Sequence, residues 1–156
     1  MPDAWRIVKA AHAATAFSGE GAARTGGRWN SRGVPIVYTS STKSLAALET
    51  LVHLNPPVAF KYVTIRVTFD TSLVKYISAK TLPPNWRIEP PPSSTKALGD
   101  AWVEEAESAV LALPSVIIPD EINYLLNPAH PAFKKISIGK PEKFIFDPRL
   151  LGLKTG

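Results

Sequence analysis

Residues 61–69 constrain this chain more than any other stretch. Val63, Ile65, Val67 and Phe69 face one way, and Tyr62, Thr64, Arg66 and Thr68 face the other. That alternation marks a strand with one covered side. Residues 5–9 read as a short first strand, and residues 34–38 as another. Ser41 or Thr42 can cap a helix over about residues 43–53. Residues 96–113 have a helical pattern with Trp102, Ala106, Ala109, Val110 and Leu113 inward, closed by Pro114. Residues 115–118 then read as a short apolar strand that starts at the serine. Residues 133–138 and 143–146 look like a closing strand pair. Residues 18–33 hold five of the nine glycines and no apolar periodicity, so they form a long loop. Residues 82–92 are too rich in proline for regular structure. Strands and helices in this mixture predict an α+β fold.

The 156 residues, 45% of them hydrophobic, amount to one domain with a substantial core. No internal repeat or linker divides residues 1–156, so a single domain is expected over that range. Charged residues make up 20%, which is not the composition of a disordered chain. No apolar run approaches the roughly 18 residues of a membrane helix, and residues 1–6 do not begin a signal peptide. Cysteine is absent, which removes disulfides, thiol nucleophiles and thiolate metal sites and fits a reducing compartment. The net charge of +5 suits an anionic ligand or an acidic partner. Only Lys134 and Lys135 are adjacent basic residues, and no basic stretch is interleaved with aromatics, so direct nucleic-acid binding is the weaker expectation.

Chemistry concentrates in the run Gly26-Gly27-Arg28-Trp29-Asn30, the strand ending at Tyr38 and the helix that follows. Arg28 offers a planar fork of donors matched to phosphate oxygens. The flanking glycines, Gly27 among them, let backbone N–H groups approach a diphosphate. The plain alternative is a surface arginine in a turn, since neither a Walker loop nor a dinucleotide fingerprint is present. Tyr38 is either a core tyrosine or a stacking platform for a cationic ring. On the helix, Leu45, Leu48 and Val52 cluster on one side, with Glu49 about 70° from their centre. A carboxylate there needs a partner, so Glu49 is either half of a salt bridge to Arg28 or Arg66, or an anion set beside developing positive charge. Cleavage of an N-glycosidic bond develops such charge. Ser115 is a turn hydroxyl bonding local backbone, with a hydrolase nucleophile as the weak alternative. His12, His53 and His130 are available for a serine hydrolase, yet no Gly-x-Ser-x-Gly elbow exists. His53 lies four residues after Glu49, and no second histidine completes a metal site, so no metal is expected. Arg6 is a strand-edge residue or a second anion contact. Arginine, tyrosine and glutamate in this order suit a ligand with a phosphate, a sugar and a cationic ring, which describes a nicotinamide dinucleotide.

Together these residues resemble the RES domain family, named for an arginine, a glutamate and a serine. The resemblance runs over nearly the whole chain. It includes Gly26-Gly27-Arg28-Trp29-Asn30, the segment Leu45-Ala46-Ala47-Leu48-Glu49, Leu82-Pro83-Pro84-Asn85-Trp86-Arg87 and Gly99-Asp100-Ala101-Trp102. It continues through Leu113-Pro114-Ser115, Asn123-Tyr124-Leu125-Leu126-Asn127-Pro128 and Phe146-Asp147-Pro148-Arg149-Leu150. It implies an ADP-ribosyltransferase-like split β core with flanking helices. It also implies a bacterial, cytoplasmic toxin that consumes NAD by phosphorolysis or hydrolysis, or that transfers ADP-ribose to protein. On this resemblance Arg28, Tyr38, Glu49 and Ser115 are the catalytic residues, with Arg6, Gly27, Arg28 and Tyr38 toward NAD. No permanently bound cofactor is implied; NAD is substrate, and inorganic phosphate is the co-substrate of phosphorolysis. The implied partner is a helix-turn-helix antitoxin of the Xre type, which would carry any DNA contact, with a toxin homodimer inside the complex. A non-catalytic module acting only through its antitoxin is the competing expectation.

Overall fold

The structure, a computed structural model, describes residues 1–53 and 61–152. Its strands among these residues are β1 (Asp3–Lys9), β2 (Val37–Ser40), β3 (Tyr62–Thr68), β4 (Val74–Tyr76), β5 (Val110–Pro114), β6 (Ile122–Leu126), β7 (Ser137–Ile138) and β8 (Glu142–Phe144). The helices are α1 (Glu20–Thr25), α2 (Lys43–Leu51), α3 (Ser93–Glu105) and α4 (Pro148–Gly152). The strands join in the order β4-β5-β6-β2-β1-β3-β7, with β8 also on β3. β1 pairs with β3 along its whole length, from Asp3 opposite Thr68 to Lys9 opposite Tyr62. Against β2 it makes a single register pair, Trp5 opposite Ser40. The sheet therefore opens at the β1–β2 seam into two lobes, consistent with the α+β, split-core expectation.

Side-chain alternation gives the sheet two working faces. On one, Val110 and Ala112 of β5 pack with Ala4, Val37, Val67, Phe69, Tyr124 and Leu126. On the other, Leu111 and Leu113 meet Trp29, Ile36, Trp86, Trp102 and Leu125, with α3 supplying Trp102. The register carries this second face across the seam: Tyr38 lies opposite Leu125, Ser40 opposite Asn123, and Trp5 opposite Ser40. There α2 lays Ala46 and Leu51 on Ile7, Tyr62 and Phe146.

Several elements differ from the pattern read in the sequence. The helix expected over 96–113 ends at Glu105, where Ala106 turns left-handed at φ 49. The apolar run that follows is β5, buried at every position. A continuous apolar run fits a strand covered on both faces as well as it fits a helix, and periodicity cannot separate them. Ser115 consequently follows a strand and does not start one. The final strands pair with β3 and not with each other, and residues 131–135 form a 3-10 turn. The glycine-rich loop contains α1, bracketed by Gly19 and Gly26 at φ 78 and 72. The strand expected at 34–38 runs from Val37 to Ser40. On α2, Leu45, Ala46 and Leu51 are buried while Leu48 and Val52 are 36% and 59% exposed. The helix is thus rotated from the expected face, and Glu49 falls about 40° from Leu45 and about 60° from Ala46. β3 is covered on both faces at its start, where Tyr62 packs edge-on against Phe146. No helix among the described residues is long and apolar enough to cross a membrane.

Candidate active site

Glu49 projects from α2 toward the ends of β5, β6 and β2. Thr42 caps the helix start by accepting the Leu45 N–H at 3.0 Å, which fixes the helix phase. The Glu49 carboxylate accepts hydrogen bonds from Asn123 Nδ2 and, at 3.4 Å, from Ser115 Oγ. Asn123 is held in turn by Ser40, whose hydroxyl donates to its Oδ1 at 2.8 Å. Ser115 is fully buried at the end of β5, and its oxygen accepts the N–H groups of Ile117 and Ile118 at 3.1 and 3.2 Å. Ser115 therefore closes a turn, and the same hydroxyl also touches the carboxylate. The salt-bridge reading of Glu49 does not hold, because Arg28 pairs with Glu89 and Arg66 pairs with Asp3. Among the described residues Glu49 has no cationic partner.

Tyr38 stands two residues before Ser40 on the same face of β2, roughly 7 Å along the strand. Its hydroxyl donates to Asn30 Oδ1 at 2.6 Å and accepts the Trp29 N–H at 3.1 Å. Burial, the dominant cause, pushes its phenol well above the ordinary value of 10.0, so it stays protonated. Gly27 is glycine because a Cβ there would lie 2.8 Å from that hydroxyl. The glycine N–H groups are not open to a diphosphate: Gly26 donates to Ala22 O at 2.7 Å and Gly27 to Asn30 O at 3.0 Å. This corrects the cradle expectation; the glycines allow close packing beneath Tyr38. Arg28 remains the cation at this place. Its Nη1 donates to the carbonyls of Trp86 and Ile88 at 3.0 and 2.7 Å, and its Nη2 to Glu89.

Arg6 lies apart from this group. It alternates with Trp5, so it shares the side of Ala4, opposite Tyr38's ring and Glu49. Its Nε donates to Ala16 O at 2.7 Å and its Nη1 to Tyr38 O at 2.9 Å. Burial pulls its pKa down to about 10, which leaves it charged at neutral pH. Arg28, Tyr38, Glu49 and Ser115 therefore line one face of the sheet, while Arg6 sits behind it. No group of three or more His, Asp or Glu side chains among the described residues could hold a metal ion.

Sequence reasoning missed Asn123 and Ser40. The one available signal was an asparagine inside the apolar run of residues 122–126, which needs a polar partner. The partner's identity depends on the register of β2 with β6, and no local pattern specifies it.

A family model for the RES domain matches residues 3–147, a span that includes every residue of this site. The chain is 41% identical over 153 residues to a protein of Sphingobium sp. (strain YBL2) named Prs ADP-ribosylating toxin, covering 94% of this chain and 95% of that one. It is 38% identical over 148 residues to Toxin Res of Yersinia enterocolitica, covering 94% and 97%. It is 35% identical over 151 residues to Toxin Res of Pseudomonas putida, covering 94% and 97%. Among solved structures it resembles a chain of the MbcT-MbcA toxin-antitoxin complex of M. tuberculosis at a TM-score of 0.70. That likeness covers 97% of this chain and 87% of the other at 18% identity, and so concerns the fold. The sequence match over nearly its whole length, together with the ordered arginine, glutamate and serine on one face of the sheet, makes this chain a member of the RES domain family.

Proposed function

We propose that this chain is the toxin of a bacterial toxin–antitoxin pair and that it consumes NAD by breaking the nicotinamide N-glycosidic bond. One observation carries the reading: the Glu49 carboxylate, held by Ser115 and Asn123, has no cation among the described residues. A carboxylate fixed in place without a counter-charge suits a transition state that develops positive charge. When the glycosidic bond breaks, its electron pair leaves with nicotinamide, which departs neutral and needs no strong general acid. The ribose C1″ becomes oxocarbenium-like, and Glu49 stabilises it or orients the ribose hydroxyls. Arg28 faces the diphosphate, and the ring of Tyr38 offers a fixed surface to the nicotinamide or its ribose. An oxygen of phosphate or water then bonds to C1″, giving ADP-ribose-1″-phosphate or ADP-ribose.

Transfer of the ADP-ribose to a protein side chain is the second reading, favoured by the name of the Sphingobium relative, Prs ADP-ribosylating toxin. For the partner, a helix-turn-helix antitoxin of the Xre type that carries any DNA contact fits the family, the toxin being a homodimer within the complex and acting in the cytoplasm. The fold likeness to a toxin-antitoxin complex supports an antitoxin in this role.

The test is to incubate NAD with the purified chain, with and without phosphate, and to separate ADP-ribose-1″-phosphate, free ADP-ribose and modified protein. Glu49→Gln should lower nicotinamide release by about a hundredfold or more while leaving the melting temperature near that of the wild type. Wild-type NAD consumption by that variant would sink the assignment.

A further inference from the structure

We propose that Glu89 is an internal stand-in for the diphosphate of the substrate, a carboxylate that occupies Arg28 and holds residues 86–89 between Arg28 and the turn of Ser115 until the ligand displaces it. The inference rests on the NAD-cleaving reading of the site. Arg28 ties down the segment through the Trp86 and Ile88 carbonyls and the Glu89 carboxylate. At the other side Arg87 Nη2 donates to the carbonyl of Val116 at 3.2 Å, one residue beyond Ser115. The segment therefore reaches from the arginine of the site to the turn that carries its serine.

Its two ends are buried and its tip is exposed. Trp86 and Thr95 are buried, whereas residues 87–90 are all exposed. The ion pair is asymmetric in the same way: Arg28's side chain is 12% exposed and Glu89's is 72%. A cation set into the wall faces a carboxylate that solvent can take away. Among the described residues Glu89 accepts from Arg28 alone. A carboxylate and a phosphate present the same acceptor geometry to a guanidinium fork, and a diphosphate brings two negative charges against one. The bound loop therefore competes with the ligand for one cation. Apparent affinity falls by the fraction of molecules in which Arg28 is free.

Glu89→Gln keeps the side-chain size and removes the charge at an exposed position, so the fold should stand. An exposed pair of this kind is worth about a two- to fivefold change in apparent affinity. Glu89→Gln should lower KM for NAD by that factor with kcat unchanged. It should tighten binding of ADP-ribose, measured by calorimetry without turnover, by the same factor. Glu89→Asp, which keeps the charge, should stay within twofold of the wild type in both. An unchanged or raised KM in Glu89→Gln, with ADP-ribose bound no more tightly, overturns the inference while the functional reading survives. A wild-type chain that neither binds ADP-ribose nor releases nicotinamide overturns both.

Discussion

Tyr38 shows how one hydroxyl can decide what a residue is free to do. It donates to Asn30 Oδ1 and accepts from the Trp29 N–H, and Asn30 passes the connection on through Nδ2 to the carbonyls of Ala22 and Val34 at 2.9 and 3.0 Å. The hydroxyl therefore organises the glycine loop, which leaves the ring for the proposed contact with nicotinamide or its ribose. Tyr38→Phe should leave Asn30 Oδ1 and the Trp29 N–H unpaired in the interior, at a cost of about 1–3 kcal/mol in urea denaturation. Nicotinamide release should persist within a few-fold. Lost turnover at unchanged stability would instead assign chemistry to the hydroxyl. The pH dependence has a definite sign. Below the ordinary value of 10.0 both folded and unfolded chains hold the phenol proton, and the stability is fully present. Above it the unfolded chain ionises first, because burial keeps the folded value higher, so stability is lost as pH rises. Tyr38→Phe should flatten part of that alkaline decline. Burial also pushes Tyr124 up to about 12, so some of the decline remains in the variant.

At the scale of elements, α3 fixes the loop that Tyr38 organises. Lys96 Nζ donates to Gly27 O at 2.8 Å, and the Asp100 carboxylate accepts the Ser31 N–H and hydroxyl at 2.8 and 2.6 Å. Residues 96, 99 and 100 share one helical face, and Gly99 lets that face touch backbone. A Cβ at Gly99 would lie 1.6 Å from Trp29 O, a contact that backbone cannot relieve without moving. Gly99→Ala should destabilise the fold by about 3 kcal/mol or more and loosen the loop carrying Arg28. Gly21→Ala in α1 meets nothing within 4 Å and should be neutral or stabilising by about 0.5–1 kcal/mol. Equal denaturation midpoints for the two variants would refute this docking. The contrast marks what the chain reveals locally. The alternation of β3, the Thr42 cap and the proline stretch are local patterns, and all were legible. The β5 strand was not, because its unbroken apolar run carries no period. Arg28, Tyr38, Glu49 and Ser115 were legible as residue types in order. The Asn123–Glu49 contact, the occupied glycine N–H groups and the far side of Arg6 follow from register, which only the assembled sheet determines.

The whole molecule turns on the seam where β1 and β2 share one register pair. Where the strands part, the Tyr38 carbonyl loses a ladder donor, and Arg6 supplies one from β1 while also holding Ala16. Arg6 thus joins the two lobes from the face opposite the site, and no carboxylate among the described residues lies within ion-pair distance of it. Lysine cannot replace it. One ammonium lacks the planar fork needed to serve both carbonyls, and it costs more to strip of water. Arg6→Lys should therefore destabilise the protein by about 1–3 kcal/mol at neutral pH. The buried lysine would have a folded pKa below its unfolded value, so the unfolded chain would bind more protons. Stability of the variant should then climb as pH rises toward about 10, a recovery the wild type lacks. Amide exchange near Trp5 and Ser40 should quicken first, since the seam opens there. KM for NAD provides the opposing outcome. A stability loss with KM little changed marks a splint between lobes. A large rise in KM at unchanged stability would make Arg6 a substrate contact and move the anion site through the sheet to its other face.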